Sequence, residues 1–165
     1  MHCGLLGRKL SHSLSPDIHA AFGYDYSLFE VEPQNLASFF AEKNFHGINV
    51  TIPYKQDVIP FCDELSPVAR EIGSVNTILR RADGSLFGDN TDAEGFRAML
   101  RQSCIAVAGK KVLVLGSGGS SLTVCHVLEE QSASEITVIS RQGKHTYDTL
   151  DYHRDAQILI NTTPV

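Results

Sequence analysis

The sequence predicts an α/β fold with a mostly parallel sheet, arranged as two successive units. Three observations carry that expectation. Short apolar runs alternate with helix-like stretches along the chain. The continuous apolar run Lys111–Leu115 leads directly into a glycine turn and then a helical pattern near Ser120–Glu130. A further apolar run, Ile136–Ser140, completes a βαβ unit.

Taken in order, Cys3–Gly7 reads as a strand. Ser15-Pro16 then opens a helix, with Ser15 as N-cap and Pro16 in the first turn. Tyr26–Glu32 alternates as a strand does, and Pro33 starts a helix to about Lys43 with Leu36, Phe39 and Phe40 on one face. His46–Val50 is a short buried strand, and a helix is expected from Pro53 to about Phe61. Val75–Arg81 and Ser85–Gly88 form a hairpin around Ala82-Asp83-Gly84. Thr91 to about Ser103 is helical, with Asp92 and Glu94 in its first turn, where the helix dipole favours carboxylates. Beyond the βαβ unit, Gln157–Asn161 is one more strand. The expected domains are 1–103 and 104–165.

Composition narrows the function classes. The 165 residues are 42% hydrophobic and 20% charged, as in a soluble globular protein. A formal net charge of -5 offers no basic face for a nucleic-acid backbone. No apolar run is long enough to cross a bilayer, and Met1–Arg8 lacks the apolar core of a signal peptide. Cys3, Cys62, Cys104 and Cys125 are widely spaced, and neither they nor the seven His residues show ligand spacing. The expectation is a cytoplasmic protein with free thiols and no metal.

The glycine turn reads Gly116-Ser117-Gly118-Gly119-Ser120-Ser121. In a Rossmann dinucleotide fingerprint the first Gly makes the tight turn and the second lets backbone approach a pyrophosphate. The third position, where helix and strand pack closely, is Ser121 here, so the pattern is relaxed. Alone, such a turn is equally well a plain structural connection; its strand–turn–helix–strand setting favours the nucleotide reading. After the second strand comes Ser140-Arg141-Gln142, with no carboxylate to accept from a ribose 2′-hydroxyl. Arg can pair a 2′-phosphate through its fork of N–H groups, which favours NADP over NAD. A solvated Arg at a strand end would have the same sequence.

Four polar segments in the first unit are candidates for a substrate site. Ser11-His12-Ser13-Leu14-Ser15-Pro16 brings hydroxyls to a strand-to-helix turn. Asn49-Val50-Thr51-Ile52-Pro53-Tyr54-Lys55 carries a cation past the end of a buried strand. Ser74-Val75-Asn76-Thr77 sets an Asn in an apolar strand, and Gly88-Asp89-Asn90-Thr91-Asp92 ends with a carboxylate at a helix start. Each has an ordinary alternative: a cap, a surface Lys, a satisfied core Asn, a capping Asp.

In this order the motifs SxSLSP, NVTIPYK, SVNT, GDNTDAEGF and GSGGSS resemble the shikimate dehydrogenase family, and the resemblance runs from Gly4 to Val165. It implies reversible NADPH-dependent reduction of 3-dehydroshikimate to shikimate in aromatic amino-acid biosynthesis. By position, it implies that Ser13 and Ser15 hold the substrate carboxylate, and that Thr51, Asn76 and Asp92 meet the ring hydroxyls. Lys55 resembles the catalytic lysine, coupled to Asp92, with Asn90 in support. Gly116, Ser117, Gly118, Gly119 and Ser120 match the pyrophosphate loop, and Ser140 and Arg141 the segment that contacts the 2′-phosphate. The chemistry asks for such residues independently: a small hydroxylated anion needs convergent hydrogen-bond groups. A Lys ammonium can both stabilise a developing alkoxide and give it a proton.

Three positions depart from the family pattern. Tyr54 stands where His is usual, Ser74 where Ala is common, and Leu122 where many NADP-dependent members have Arg. Members of the family also continue well past the Thr-Pro-Val segment, and the missing part would complete the sheet. The alternatives left open are therefore a quinate- or NAD-preferring relative, and a non-catalytic binding fragment. The expected partner is the small-molecule substrate, with the protein a monomer or a homodimer.

Overall fold

The computed structural model describes residues 1–163; Pro164 and Val165, which end the segment carrying the resemblance, lie outside the described residues. The chain forms two compact units, 1–90 and 91–165. The helix at 92–102 thus groups with the second unit, ahead of the boundary expected at 103/104.

The first unit is a six-stranded mixed sheet in the order β2-β1-β3-β5-β6-β4. Strands β1 (Cys3–Gly7), β2 (Tyr26–Glu30) and β3 (Gly47–Val50) run parallel, with β1 in the middle. Strands β5 (Thr77–Arg80) and β6 (Leu86–Asp89) form the expected hairpin, antiparallel to each other, with β5 antiparallel to β3. The two-residue β4 (Glu64–Leu65) closes the far edge, parallel to β6.

Side chains alternate across a sheet, so each register row shares a face. One face sets Leu6, Ile48, Val50, Ile78 and Leu86 into the main core. There they meet Leu36 and Phe40 of helix α2 (Leu36–Glu42), together with Phe45, Tyr54 and Val58. Phe40 stacks on Phe61 at 4.7 Å between ring centroids and Phe39 on Phe45 at 5.6 Å, so aromatic pairs fill much of this layer. The opposite face carries Asn49, Thr77 and Asp89 in one row and is only partly covered, by helix α1 (Ser15–Ala20) against β2.

Several local expectations are corrected. The segment after Pro53 is not a helix to Phe61 but a series of turns ending in a short 3-10 helix, Ile59–Phe61. Its bonds are mostly i to i+3 (Tyr54 to Thr51, Ile59 to Gln56, Phe61 to Val58), and Pro60 has no N–H to extend a ladder. Ser15 is not the N-cap of α1 but its first residue, with Leu14 in the cap position. Pro33–Asn35 is a 3-10 turn that leads into α2. Helix α3 (Pro67–Ile72) was not anticipated; Ser66 caps it by accepting from the Ala69 N–H at 3.1 Å.

In the second unit, parallel strands lie in the order β8-β7-β9, with β7 (Lys111–Leu115) between β8 (Glu135–Ile139) and β9 (Ile158–Asn161). Helix α5 (Gly119–Glu130) packs on β7 and β8, and α4 (Asp92–Gln102) packs on α5. Arg97 ties the two helices through Glu130 at 2.7 Å. A 3-10 stretch, Tyr147–His153, links β8 to β9. The four cysteines are free thiols. Among the described residues no helix is long and apolar enough to cross a membrane.

Ser74 is fully buried, and its Oγ has no hydrogen-bond partner. An orphaned buried hydroxyl costs roughly 1–3 kcal/mol. Ser74→Ala is therefore expected to stabilise the protein by about 1 kcal/mol, seen as a higher denaturation midpoint at unchanged m-value. A loss of stability would mean that the hydroxyl contributes something the fold depends on.

Candidate active site

Parallel order places chemistry at the ends of strands. In the first unit β1 lies between β2 and β3, so the chain leaves β1 at a point where neighbouring connections diverge. The end of β3, the start of β5 and the end of β6 all reach the same edge, because β5 runs antiparallel to both β3 and β6. Backbone bonds fasten this edge together. Thr51 N–H donates to Leu6 O at 2.9 Å, Val50 N–H to Asn76 O at 2.7 Å, and Asn76 N–H to Asp89 O at 3.0 Å.

Lys55 is set by the turn that follows β3. Tyr54 N–H donates to Thr51 O at 2.9 Å, and Val75 N–H donates to Lys55 O at 2.7 Å. The Tyr54 ring is 1% exposed and packs in the core, with its hydroxyl donating to Val31 O. Tyr54 therefore anchors the turn from below, while the neighbouring Lys55 is only half-buried.

Asn76 is buried at 7% exposure, and its Oδ1 accepts from the Thr77 hydroxyl at 3.1 Å. Asn90, also buried, donates from Nδ2 to Ser74 O at 2.9 Å and so holds the β6 end against the β5 entry. Asp89 accepts from Ser66 Oγ at 2.5 Å and from Asn90 N–H at 2.8 Å, which occupies it structurally. After β1, Ser13 N–H bonds Leu10 O at 2.9 Å, and Ser13 Oγ accepts from Ser15 N–H at 3.2 Å.

Thr51, Lys55 and Asn76 thus gather at one sheet edge, and Ser13 and Ser15 follow the strand at its centre. Asp92 is the first residue of α4 and belongs to the second compact unit. Sequence reasoning missed two residues of the first unit. Asn49 accepts from the Tyr26 hydroxyl at 2.7 Å and donates to Thr77 Oγ1 at 3.3 Å. The available signal was the position of Asn49 inside an otherwise apolar strand, the same anomaly that singled out Asn76.

In the second unit β7 lies between β8 and β9, and its C-terminal end is a switch point of the same kind. The turn after it divides the work of its glycines. Gly116 has φ +105, and a Cβ there would lie 2.7 Å from Thr162 Oγ1, so this glycine is required by the fold itself. Gly118 has a negative φ and nothing within 4 Å of the position a Cβ would take. Packing does not demand a glycine at 118; close approach by an outside group would.

The N-cap of α5 is Gly118, which has no side chain to cap the helix, and the first turn contains no acidic residue. An uncapped helix N-terminus beside an open glycine suits a pyrophosphate. Ser117 is exposed, Ser120 is half-buried, and Gly119 opens the helix. Ser121, at the relaxed third position, is 2% exposed, so it is small enough for the close packing required there.

Gly116 N–H donates to Ile139 O at 2.8 Å, which brings the glycine turn to the end of β8. Ser140 is buried, and its hydroxyl donates to Gln142 O, closing a tight loop. Arg141 is exposed on that loop, which also carries Lys144 and His145. The residues present fit the pyrophosphate and adenosine side of a phosphorylated dinucleotide: a helix start with a glycine N-cap, open space at Gly118, and a cationic loop.

Known proteins match this arrangement. Residues 5–78 match the model of the shikimate dehydrogenase substrate binding domain. The chain is 39% identical to the shikimate dehydrogenase (NADP(+)) of Clostridium beijerinckii, over 98% of this chain and 67% of that protein. Its structure superposes on shikimate dehydrogenase 1 of Peptoclostridium difficile with a TM-score of 0.93 at 34% identity, covering 99% of this chain and 67% of that one. For the Thermus thermophilus enzyme in complex with NADP(H) and shikimate the TM-score is 0.82 at 32% identity, covering 99% and 68%. The chain spans about two thirds of these proteins and about half of other curated relatives.

Replacing Gly116 by Ala forces a strained φ and a collision with Thr162. Gly116→Ala is expected to lower stability by more than ~1 kcal/mol, whereas Gly118→Ala leaves the melting temperature unchanged and weakens dinucleotide binding. Thermal melts with and without NADP(H) check both halves.

Proposed function

We propose, on the premise that this chain belongs to the shikimate dehydrogenase family, that its protein reversibly reduces 3-dehydroshikimate to shikimate with NADPH. One observation carries the reading furthest: Thr51, Lys55 and Asn76 gather at one sheet edge, with Ser13 on the loop after β1 and Ser15 at the start of α1. The expected domains divide the labour, 1–103 for substrate and 104–165 for cofactor, with Asp92 a substrate residue at the start of α4.

In this reading Ser13 and Ser15 hydroxyls receive the substrate carboxylate, and Thr51, Asn76 and Asp92 meet the ring hydroxyls. NADPH, when bound, supplies the hydride. Lys55 is the proton source. As the carbonyl carbon is reduced, the ammonium stabilises negative charge on the oxygen and then transfers a proton to it, completing the hydroxyl. The backbone bond from Val75 N–H to Lys55 O supports a fixed origin for that side chain. A displaced ammonium would lose most of the catalytic gain.

For the cofactor, the switch point beside β7 takes the pyrophosphate, and Arg141 takes the 2′-phosphate. Clostridium beijerinckii and Halothermothrix orenii relatives are named as NADP(+) enzymes, and the Thermus thermophilus structure holds NADP(H). Leu122, 36% exposed on α5, stands where many relatives have Arg, so the 2′-phosphate depends the more on Arg141. That position favours a second reading, in which NAD is also used.

Two experiments on the full-length protein test the proposal. Lys55→Ala is expected to cut kcat by ~10²-fold or more, followed by the loss of NADPH absorbance with 3-dehydroshikimate. Near-normal turnover would remove Lys55 from the proton step. Arg141→Ala is expected to lower kcat/KM for NADPH by about tenfold or more while leaving that for NADH nearly constant, since a charge-assisted bond is worth ~1.5–3 kcal/mol. An equal fall with both cofactors would place Arg141 outside 2′-phosphate recognition.

A further inference from the structure

The face of the first sheet opposite the main core carries a chain of side-chain hydrogen bonds with one sense of direction. Tyr26 O–H donates to Asn49 Oδ1 at 2.7 Å, Asn49 Nδ2 donates to Thr77 Oγ1 at 3.3 Å, and Thr77 O–H donates to Asn76 Oδ1 at 3.1 Å. Register explains how four residues from three strands meet. Tyr26 lies opposite Cys3, Leu5 opposite Asn49, and Asn49 opposite Thr77, all on one face. Tyr26 therefore reaches diagonally over β1 to Asn49.

The direction matters because a carboxamide has two different ends. The Tyr26 hydroxyl has a single proton. Once it is given to Asn49 Oδ1, the Asn49 amide must turn its Nδ2 towards Thr77. Thr77, having accepted, gives its own proton to Asn76 Oδ1, and the Asn76 Nδ2 side is thereby fixed as a donor. The first donor is itself held by packing: His19 stacks on Tyr26 at 3.9 Å between centroids with planes 2° apart. Burial, with smaller contributions from Cys3 and Tyr24, pushes the Tyr26 pKa up to about 12, so the phenol keeps its proton at any working pH.

We propose that Tyr26 is a positioning residue for substrate binding, orienting the Asn76 carboxamide through Asn49 and Thr77 so that Asn76 meets a ring hydroxyl as a hydrogen-bond donor. The inference rests on the reading of Asn76 as a substrate residue and adds to it a remote determinant on β2. Tyr26 acts on affinity and leaves the proton step at Lys55 alone.

The test uses the full-length protein and four variants: Tyr26→Phe, Thr77→Val, the double variant, and Thr77→Ser. Phe keeps the ring stacked on His19, Val keeps the β-branched shape, and Ser keeps the relay hydroxyl. The readouts are KM and kcat for 3-dehydroshikimate, the Kd of shikimate by calorimetry without cofactor, and the melting temperature. Tyr26→Phe is expected to raise KM and Kd about fivefold, the worth of one hydrogen bond, with kcat and melting temperature nearly unchanged. The double variant should bind no more weakly than Thr77→Val, since one break already interrupts the relay, and Thr77→Ser should bind as the wild type does.

Unchanged affinity in Tyr26→Phe would overturn the proposal. So would effects that multiply in the double variant, or a Thr77→Ser variant as weak as Thr77→Val. A wild-type protein that neither binds shikimate nor reduces 3-dehydroshikimate would instead overturn the proposed function, and this inference with it.

Discussion

The first unit depends on a knot of main-chain hydrogen bonds where β3 ends. Val50 donates to Asn76, Val75 donates to Lys55, Thr51 donates to Leu6, and Asn76 donates to Asp89. Four separate segments are thereby fixed to one another by backbone, which carries no rotamer freedom. Polar side chains near a sheet edge are otherwise costly to order, because each must give up conformational entropy to hold one geometry. Here the backbone supplies most of that order before any ligand arrives. This is the preorganisation that a site for a small hydroxylated anion needs.

The knot is in turn held by the core beneath it. Tyr54 lies one residue before Lys55 and is almost wholly inside, against Val58, Phe40 and the sheet. A buried aromatic next to a half-exposed cation gives the turn a fixed end and an accessible end. The usual His at this position would be smaller and more polar, whereas Tyr reaches Val31 O with its hydroxyl and leaves its ring in the apolar layer. The same logic accounts for Ser74, whose backbone carbonyl serves the site by accepting from Asn90 while its side chain is left without a partner. Only the main chain of that residue is used, so Ala suffices there.

Much of this was legible in the sequence, for particular physical reasons. Lys111–Leu115 was read to the residue, because a strand buried on both faces has a continuous apolar run. The hairpin of β5 and β6 followed from its Asp-Gly turn. The helix expected after Pro53 was not formed, since a Pro at each end of a short segment leaves too few donors for an i to i+4 ladder. Helix α3 had a visible Ser66-Pro67 start, but its six residues are too few to show a period. Asn49 and Tyr26 could not be paired from sequence at all. Their meeting depends on two strand registers at once, and register is a tertiary property when no tight turn sets it.

The two units reach a similar solution by different means. In each, a central parallel strand ends where its neighbours' connections part, and that gap receives the functional loops. The first unit fills its gap with side chains, so in the proposed reading its specificity lies in residues such as Asn76, whose two amide ends must be told apart. The second leaves its gap to backbone: an uncapped helix start and a glycine, Gly118, with open space where a Cβ would be. A pyrophosphate is the same in every dinucleotide, and main-chain N–H groups suffice to bind it. Selectivity between dinucleotides must then come from the one place where they differ, and in the proposed reading that burden falls on the exposed Arg141 beside a loop closed by Ser140.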